Sequence, residues 1–203
     1  MKSRPDARTS EPDEAESSAR LFDRMLKSRT ILLSSDVSPA SARRIVEQFL
    51  ILEAEAPDKP ITLMINSPGG EVHSGFSIFD VIRFIRSPVH IVSAGLTASI
   101  AAVILLAVPK ERRLTLPNSR FLIHQPLFHG EVMGPASDLE ITANEIIKTK
   151  AHINALIARE TGRSLEQVEK DTERDFWLSA PEARDYGLVS RVITNRTELE
   201  DFS

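Results

Sequence analysis

Gly95-Leu96-Thr97-Ala98-Ser99-Ile100-Ala101-Ala102 is the stretch around which the rest of the chain is organised. A β-type run, Val89-His90-Ile91-Val92-Ser93-Ala94, leads into it, and a helix-type run from Ile100 to Val108 leads out. Ser99 is therefore expected at or just inside the start of a buried helix. Free backbone N–H groups and the positive end of the helix dipole lie there. A hydroxyl in that place is well set to act as a nucleophile, because the oxyanion formed by its attack would sit near those donors. Serine also begins helices simply as a cap, so the rest of the chain has to decide between the two roles.

Working outward, the same order of strand, turn and helix occurs twice before Ser99. Thr30–Leu33 is a strand-like run, followed by Ser38-Pro39, which opens a helix with Ile45, Val46, Phe49, Leu50 and Leu52 at helical spacing. Ile61–Ile65 is the next strand; Asn66-Ser67-Pro68-Gly69-Gly70 is a sharp turn, and a helix follows through Phe76, Ile82 and Ile85, ending near Ser87-Pro88. Strands starting near residues 30, 61 and 89 with helices between them predict an α/β protein with parallel strands and crossover helices. Beyond the centre, Arg112–Ile123 reads as two short strands around Leu116-Pro117-Asn118-Ser119, and Leu127–Ala136 reads as a loop or irregular strand. Ser137-Asp138-Leu139-Glu140 is a capping-box pattern that starts a long helix, closed by Gly162. Two further short helices open at Ser164 and Ser179, and Leu188–Ile193 is a last strand. A short helix is also expected over Leu21–Lys27.

The 203 residues suffice for one sizeable domain, with 41% hydrophobic and 27% charged residues. The domain is expected over 19–197, with a flexible acidic arm at 1–18 and a flexible tail at 198–203. The arm lacks the apolar centre of a secretory signal. A net charge of −4 with no long basic run argues against nucleic-acid binding. The absence of cysteine excludes disulfides, thiolate catalysis and cysteine-zinc sites, and fits a cytoplasmic setting. Val89–Val108 is apolar enough to suggest a membrane span, which needs about 20 such residues. His90, Ser93, Gly95, Thr97 and Ser99 interrupt it, so strand plus helix is the expectation. No metal cluster or phosphate loop is legible, so neither a cofactor nor an intrinsic ATPase is expected.

A serine nucleophile needs a base and a group that orients the base. Of the five histidines, His90 lies in an apolar strand, His152 within the long helix, and His73 and His129 in turns. His124 ends a strand just before Pro126, the kind of strand terminus where α/β folds place their sites. Among the carboxylates of Asp171-Thr172-Glu173-Arg174-Asp175, Asp175 abuts the apolar Phe176-Trp177-Leu178 and is expected to be partly buried. Pro68-Gly69-Gly70 and the N–H of Ile100 offer unobstructed donors for an oxyanion. The Gly-x-Ser-x-Gly elbow of α/β-hydrolases is absent.

Taken in order, Asn66-Ser67-Pro68-Gly69-Gly70, Gly95–Ser99, Leu116–Arg120, His124-Gln125-Pro126-Leu127, Asp171–Asp175, Ser179-Ala180 and Tyr186-Gly187-Leu188 resemble the proteolytic subunits of the Clp proteases, the ClpP family, across residues 20–195. The resemblance implies a Ser99-His124-Asp175 triad with the N–H groups of Gly70 and Ile100 as oxyanion hole. It implies the ClpP/crotonase-like fold of repeated ββα units, with the long helix, about 137–161, protruding as a handle. It also implies two stacked seven-membered rings enclosing the sites, fed with unfolded polypeptide by a ring-shaped AAA+ ATPase, with no nucleic acid, membrane or metal involved. Glu173 and Arg174 would then be placed to make charge contacts between rings.

Several positions depart from the family. Ile100 and Ala101 stand where the family has Met-Gly and would narrow the site, and Pro135 removes a donor from a 128–136 segment about two residues longer than usual. Thr62 and Met64 replace two tyrosines of the ATPase-docking pocket, whose other walls are matched by Leu50 and Phe84. Two alternatives follow: a ring subunit of low activity that scaffolds a mixed complex with a paralogue, and an acyl-CoA enzyme of the crotonase type.

Overall fold

The computed structural model describes residues 20–21, 23–127 and 133–202. The arm expected over 1–18 and positions 128–132 of the expected loop lie outside them. Five parallel strands in the order β1-β2-β3-β4-β7 form the main path of the sheet: β1 Thr30–Leu33, β2 Ile61–Ser67, β3 Val89–Ala98, β4 Arg113–Thr115 and β7 Arg191–Val192. Two more strands branch from β3: β5 Arg120–Ile123 lies parallel to it, and β6 Phe176–Ser179 lies antiparallel to β5. The architecture is the parallel-dominated α/β sheet that the alternation of strands and helices predicts.

The strand β3 is longer than its sequence suggests. Gly95 looks like the end of the strand, yet the strand runs on to Ala98. Gly95 takes φ +102, open to glycine alone without strain, and a Cβ there would lie 2.6 Å from the Asn66 side-chain oxygen. That oxygen accepts the Leu96 N–H at 3.0 Å. The glycine thus bends the strand without ending it. Below the bend, Ile91–Ser93 pairs with β4; above it, Leu96–Ala98 pairs with β5. One strand therefore carries Ser99 up to the edge where β5 delivers His124.

Helices α1 (Pro39–Glu55), α2 (Val72–Phe84) and α3 (Ile100–Leu105) cover one face of the sheet. α1 starts where Ser38 and Ser41 bond each other's backbone N–H, with Pro39 in the first turn. The Glu71 carboxylate caps α2 by accepting from the N–H groups of His73 and Ser74. Ile31, Leu33, Leu63, Ile65 and Ile91 from the strands meet Phe49, Leu52, Ile78 and Ile104 from the helices in one apolar core. Each such side chain contributes about 1.5–3 kcal/mol by leaving water. On the opposite face a smaller cluster joins Val92, Leu114 and Ile193 to Met64, Leu116 and Leu199. Leu199 belongs to a 3-10 helix over Arg196–Phe202, so the segment read as a tail from 198 carries a side chain packed on the sheet.

The long helix α4 runs from Ala136 to Thr161. Its first turn differs from the sequence reading: Pro135 holds the N-cap position, Ser137 lies inside the helix, and no side chain caps it. Proline at 135 sets an extended backbone that enters the helix two residues early. Its C-terminal half buries Ile153, Leu156 and Ile157, whereas Leu139, Ile141 and Ile147 nearer its start are exposed. The first half of the helix is thus left largely uncovered by the rest of the chain. Its far end is fixed by Arg113, which donates to Val108 O at 2.7 Å and Glu160 O at 2.9 Å and pairs with the Glu160 carboxylate. Arg83 of α2 pairs with the same carboxylate at 2.7 Å. Gly162 closes the helix in the left-handed region. Two short helices follow, α5 Leu165–Thr172 and α6 Ala180–Tyr186; the latter opens on the Ser179–Glu182 capping box. Among the described residues no helix is long and apolar enough to cross a membrane. The apolar run Val89–Val108 is divided between β3, Ser99, α3 and the turn that follows it.

Candidate active site

Ser99 joins β3 to α3 at φ +56, ψ −128, a conformation rarely taken by a residue with a side chain. Neighbours hold it there: its N–H donates to Leu122 O at 2.8 Å and its carbonyl accepts from Ala102 N. The hydroxyl makes no capping bond. It lies 2.9 Å from His124 Nε2.

His124 and Asp175 meet because of strand register. β5 and β6 pair antiparallel with Ile123 opposite Phe176. The next residues outward on the two strands are His124 and Asp175, and His124 Nδ1 lies 3.0 Å from Asp175 Oδ1. A carboxylate only accepts, so Nδ1 carries the proton and Nε2 is left to accept from the Ser99 hydroxyl. The His124 side chain is 16% exposed. Asp175 is 62% exposed, more open than its apolar neighbours suggest, because β6 is an edge strand whose Trp177 also faces outward.

The turn Pro68-Gly69-Gly70 lies against the nucleophile. Val37 N donates to Gly69 O at 2.8 Å and Glu71 N to Val37 O at 2.7 Å, strapping the turn to the segment before α1. A Cβ on Gly69 would sit 2.6 Å from Ala98 O and 2.7 Å from the Ser99 Cβ, and one on Gly70 would run into Val37 O. Both glycines have positive φ. Gly69→Ala is therefore expected to lower stability by about 1–3 kcal/mol through overpacking and backbone strain. A thermal melt equal to wild type would contradict this tight fit. Among the described residues, no protein acceptor takes the N–H of Gly70 or of Ile100.

A cleft of about 950 Å³ runs past Ser99 and His124, between the Gly69-Gly70 turn, Asp36–Ser38 and the α4 residues Thr142, Glu145, Ile146 and Thr149. Behind Ser99 lies a small apolar recess of about 20 Å³, lined by Val72, Ile100, Val103, Ile123, Ile153 and Ile157. The Ile100 side chain packs on Gly75, where a Cβ would collide with it. The bulk at position 100 thus borders this recess.

No other described histidine bonds to the relay, although His73 lines the same cleft. His90 is buried in β3, where loss of water pushes its pKa down; His73 is exposed on α2, and His152 is exposed beside the Phe76 ring. His129 is outside the described residues.

The Clp protease family model matches residues 13–196. The chain belongs to the Clp protease family. It is 48% identical over 178 residues to the ATP-dependent Clp protease proteolytic subunit 2 of Treponema pallidum (strain Nichols), covering 88% of each chain. It is 45% identical over 181 residues to the protein of the same name from Treponema denticola, covering 89% of this chain and 90% of that relative.

Within this Clp protease family member, Glu173 is engaged inside the chain. Lys150 of α4 donates to its carboxylate at 2.7 Å, and that hydrogen bond and charge hold the Glu173 carboxyl below the usual carboxylate range. Arg174 borders an open recess of about 400 Å³ shared with His124, Gln125 and Asp175. Leu50 on α1 and Phe84 at the end of α2 are exposed on the helical layer, Phe84 by 81%, whereas Met64 packs on the opposite face of the sheet and Thr62 alternates with the core residues in the same way. These four positions do not share one face of a single chain. Beside the relay, Gln125 lies in the motif quoted above, whereas Lys150 belongs to none of the motifs. The signal was present: Lys150 interrupts the apolar stripe Ile146, Ile153, Ile157 at helical spacing, where an aliphatic residue would be expected.

Proposed function

We propose that this chain is a serine endopeptidase subunit that cleaves unfolded polypeptide inside a ring assembly. The observation that carries the reading is the linear relay of Ser99 Oγ, His124 and Asp175 at 2.9 and 3.0 Å. In this reading Ser99 attacks the scissile carbonyl carbon while its proton passes to His124 Nε2. The resulting oxyanion lies against the N–H groups of Gly70 and Ile100, which have no protein acceptor among the described residues. His124 then gives its proton to the leaving amine, and Asp175 stabilises the imidazolium in between. Water, deprotonated by His124, hydrolyses the acyl-serine. The extended cleft along α4 suits a peptide backbone.

The assembly in this reading is two stacked seven-membered rings with the handles between them, where the exposed Leu139, Ile141 and Ile147 of α4 would be covered. Arg174 is then available for contacts across the rings. Leu50, Phe84, Thr62 and Met64 would come together only between neighbouring copies, forming the dock for an AAA+ ATPase. ATP dependence belongs to that partner. A second reading, a weakly active subunit of a mixed assembly, is favoured by one observation: both relatives are named as subunit 2.

A fluorophosphonate probe on the purified oligomer separates the readings. Labelling of wild type, absent in Ser99→Ala, is the expected result. An unlabelled wild-type oligomer would remove the peptidase reading in favour of the scaffold.

A further inference from the structure

Beyond the rung between Ile123 and Phe176, the β5–β6 ladder stops, and His124 and Asp175 stand one residue past its end. What joins the two segments there is Gln125. Its N–H donates to Thr172 O at 2.7 Å and its side-chain Nε2 to Glu173 O at 2.7 Å. Gln125 directly follows His124, and Glu173 stands two residues before Asp175. The orientation of the Gln125 amide decides whether the second bond exists, since the reversed amide would turn an oxygen toward the Glu173 carbonyl. Lys150 of α4 fixes that orientation. Its ammonium only donates; it donates to Gln125 Oε1 at 2.9 Å and to Glu173 Oε2 at 2.7 Å, and its side chain is half-buried. One cation therefore closes a small ring of bonds through Gln125 and Glu173. Among the described residues, His124 is the only hydrogen-bond partner recorded for the exposed Asp175 carboxylate.

We infer that Lys150 is a positioning residue of the relay. It touches none of the reacting groups. Through Gln125 and Glu173 it holds the strand end bearing His124 at a fixed distance from the segment bearing Asp175, so a displacement of the long helix is felt at the catalytic base. The inference rests on the serine-peptidase reading above.

The test uses the full-length oligomer, with wild type, Lys150→Met, Lys150→Arg, Gln125→Ala and the Lys150→Met/Gln125→Ala double variant. Methionine keeps the aliphatic stem and removes the donor. The readouts are the rate of fluorophosphonate acylation at Ser99, kcat and KM for a fluorogenic peptide, and the sedimentation coefficient. Lys150→Met is expected to lower acylation rate and kcat between about tenfold and a hundredfold, the scale of a misplacement near 1 Å, with KM within about twofold. Lys150→Arg, which can reach both acceptors, restores most of the rate. Gln125→Ala gives a loss like that of Lys150→Met, and the double variant is no worse than either, since both break one chain of contacts. Wild-type acylation rates in Lys150→Met, multiplicative losses in the double variant, a loss confined to KM, or a loss that follows dissociation of the oligomer would each overturn the inference. Wild type that fails to label at all overturns the peptidase reading and this one with it, and is told apart by the absence of any Ser99 adduct.

Discussion

Peptide turnover by the Ser99→Ala oligomer is expected to fall about a million-fold, close to the whole contribution of a serine relay. In the proposed reading the hydroxyl 2.9 Å from His124 Nε2 is the attacking atom, and among the described residues no other hydroxyl lining the cleft is bonded to a histidine. His124→Ala should cost about the same, and the Ser99→Ala/His124→Ala pair no more than either alone, because the two groups act as one unit. Asp175→Asn leaves the geometry and loses the tautomer, for which about ten-thousand-fold is the expected scale. These values are read as kcat on a fluorogenic peptide, with sedimentation as the check on assembly. Residual turnover of a tenth of wild type in Ser99→Ala would mean that another group does the chemistry.

The second large effect concerns stability. Arg113 is 1% exposed and its guanidinium pairs with Glu160, which is 16% exposed. Burial pulls the Arg113 pKa down, and the hydrogen bond and charge of Glu160 oppose that loss. Glu160→Ala leaves the guanidinium buried without its counter-ion. About 3 kcal/mol is expected, the lower end for such pairs because Glu160 keeps some contact with water. That corresponds to a fall in Tm on the order of 10 °C for a chain of this size. The sign of the pH dependence follows from Glu160 itself. Burial alone would raise its pKa, but hydrogen bonds from Arg83 and Arg113 outweigh burial and hold it below the usual carboxylate value. Its contribution is therefore full above the unfolded carboxylate range and is lost as pH falls through the depressed folded value. The Tm gap between wild type and Glu160→Ala should be widest near neutrality and should narrow below about pH 4. A gap independent of pH would show that the pair does not carry the stabilisation.

The alternation of strands and helices was legible because each element carries its own period and its own stop. Ser38-Pro39 and Ser179-Ala180-Pro181-Glu182 announced helix starts that the structure forms as capping boxes. Gly95 misled, since a glycine that bends a strand and one that ends it look alike in sequence; only the Asn66 contact and the pairing with β5 distinguish them. Ser137-Asp138-Leu139-Glu140 misled similarly, because Pro135 had already set the helix entry. For the site, Ser99 and His124 stood out as polar residues at the ends of apolar runs. The exposure of Asp175 was not legible, since whether a strand lies at an edge is a property of the sheet. Nor was the clamp formed by Lys150, which joins three segments distant along the chain.

The four-rung ladder from Arg120–Ser179 to Ile123–Phe176 behaves as a vernier for the imidazole. A slip of one residue there would carry His124 about 3.3 Å along its strand and swing it to the far side of the pleat. The same slip would turn Phe121 and Ile123 off the core face and break the pairing of β5 with β3. An insertion or deletion among these eight residues would therefore disturb the relay and the core together.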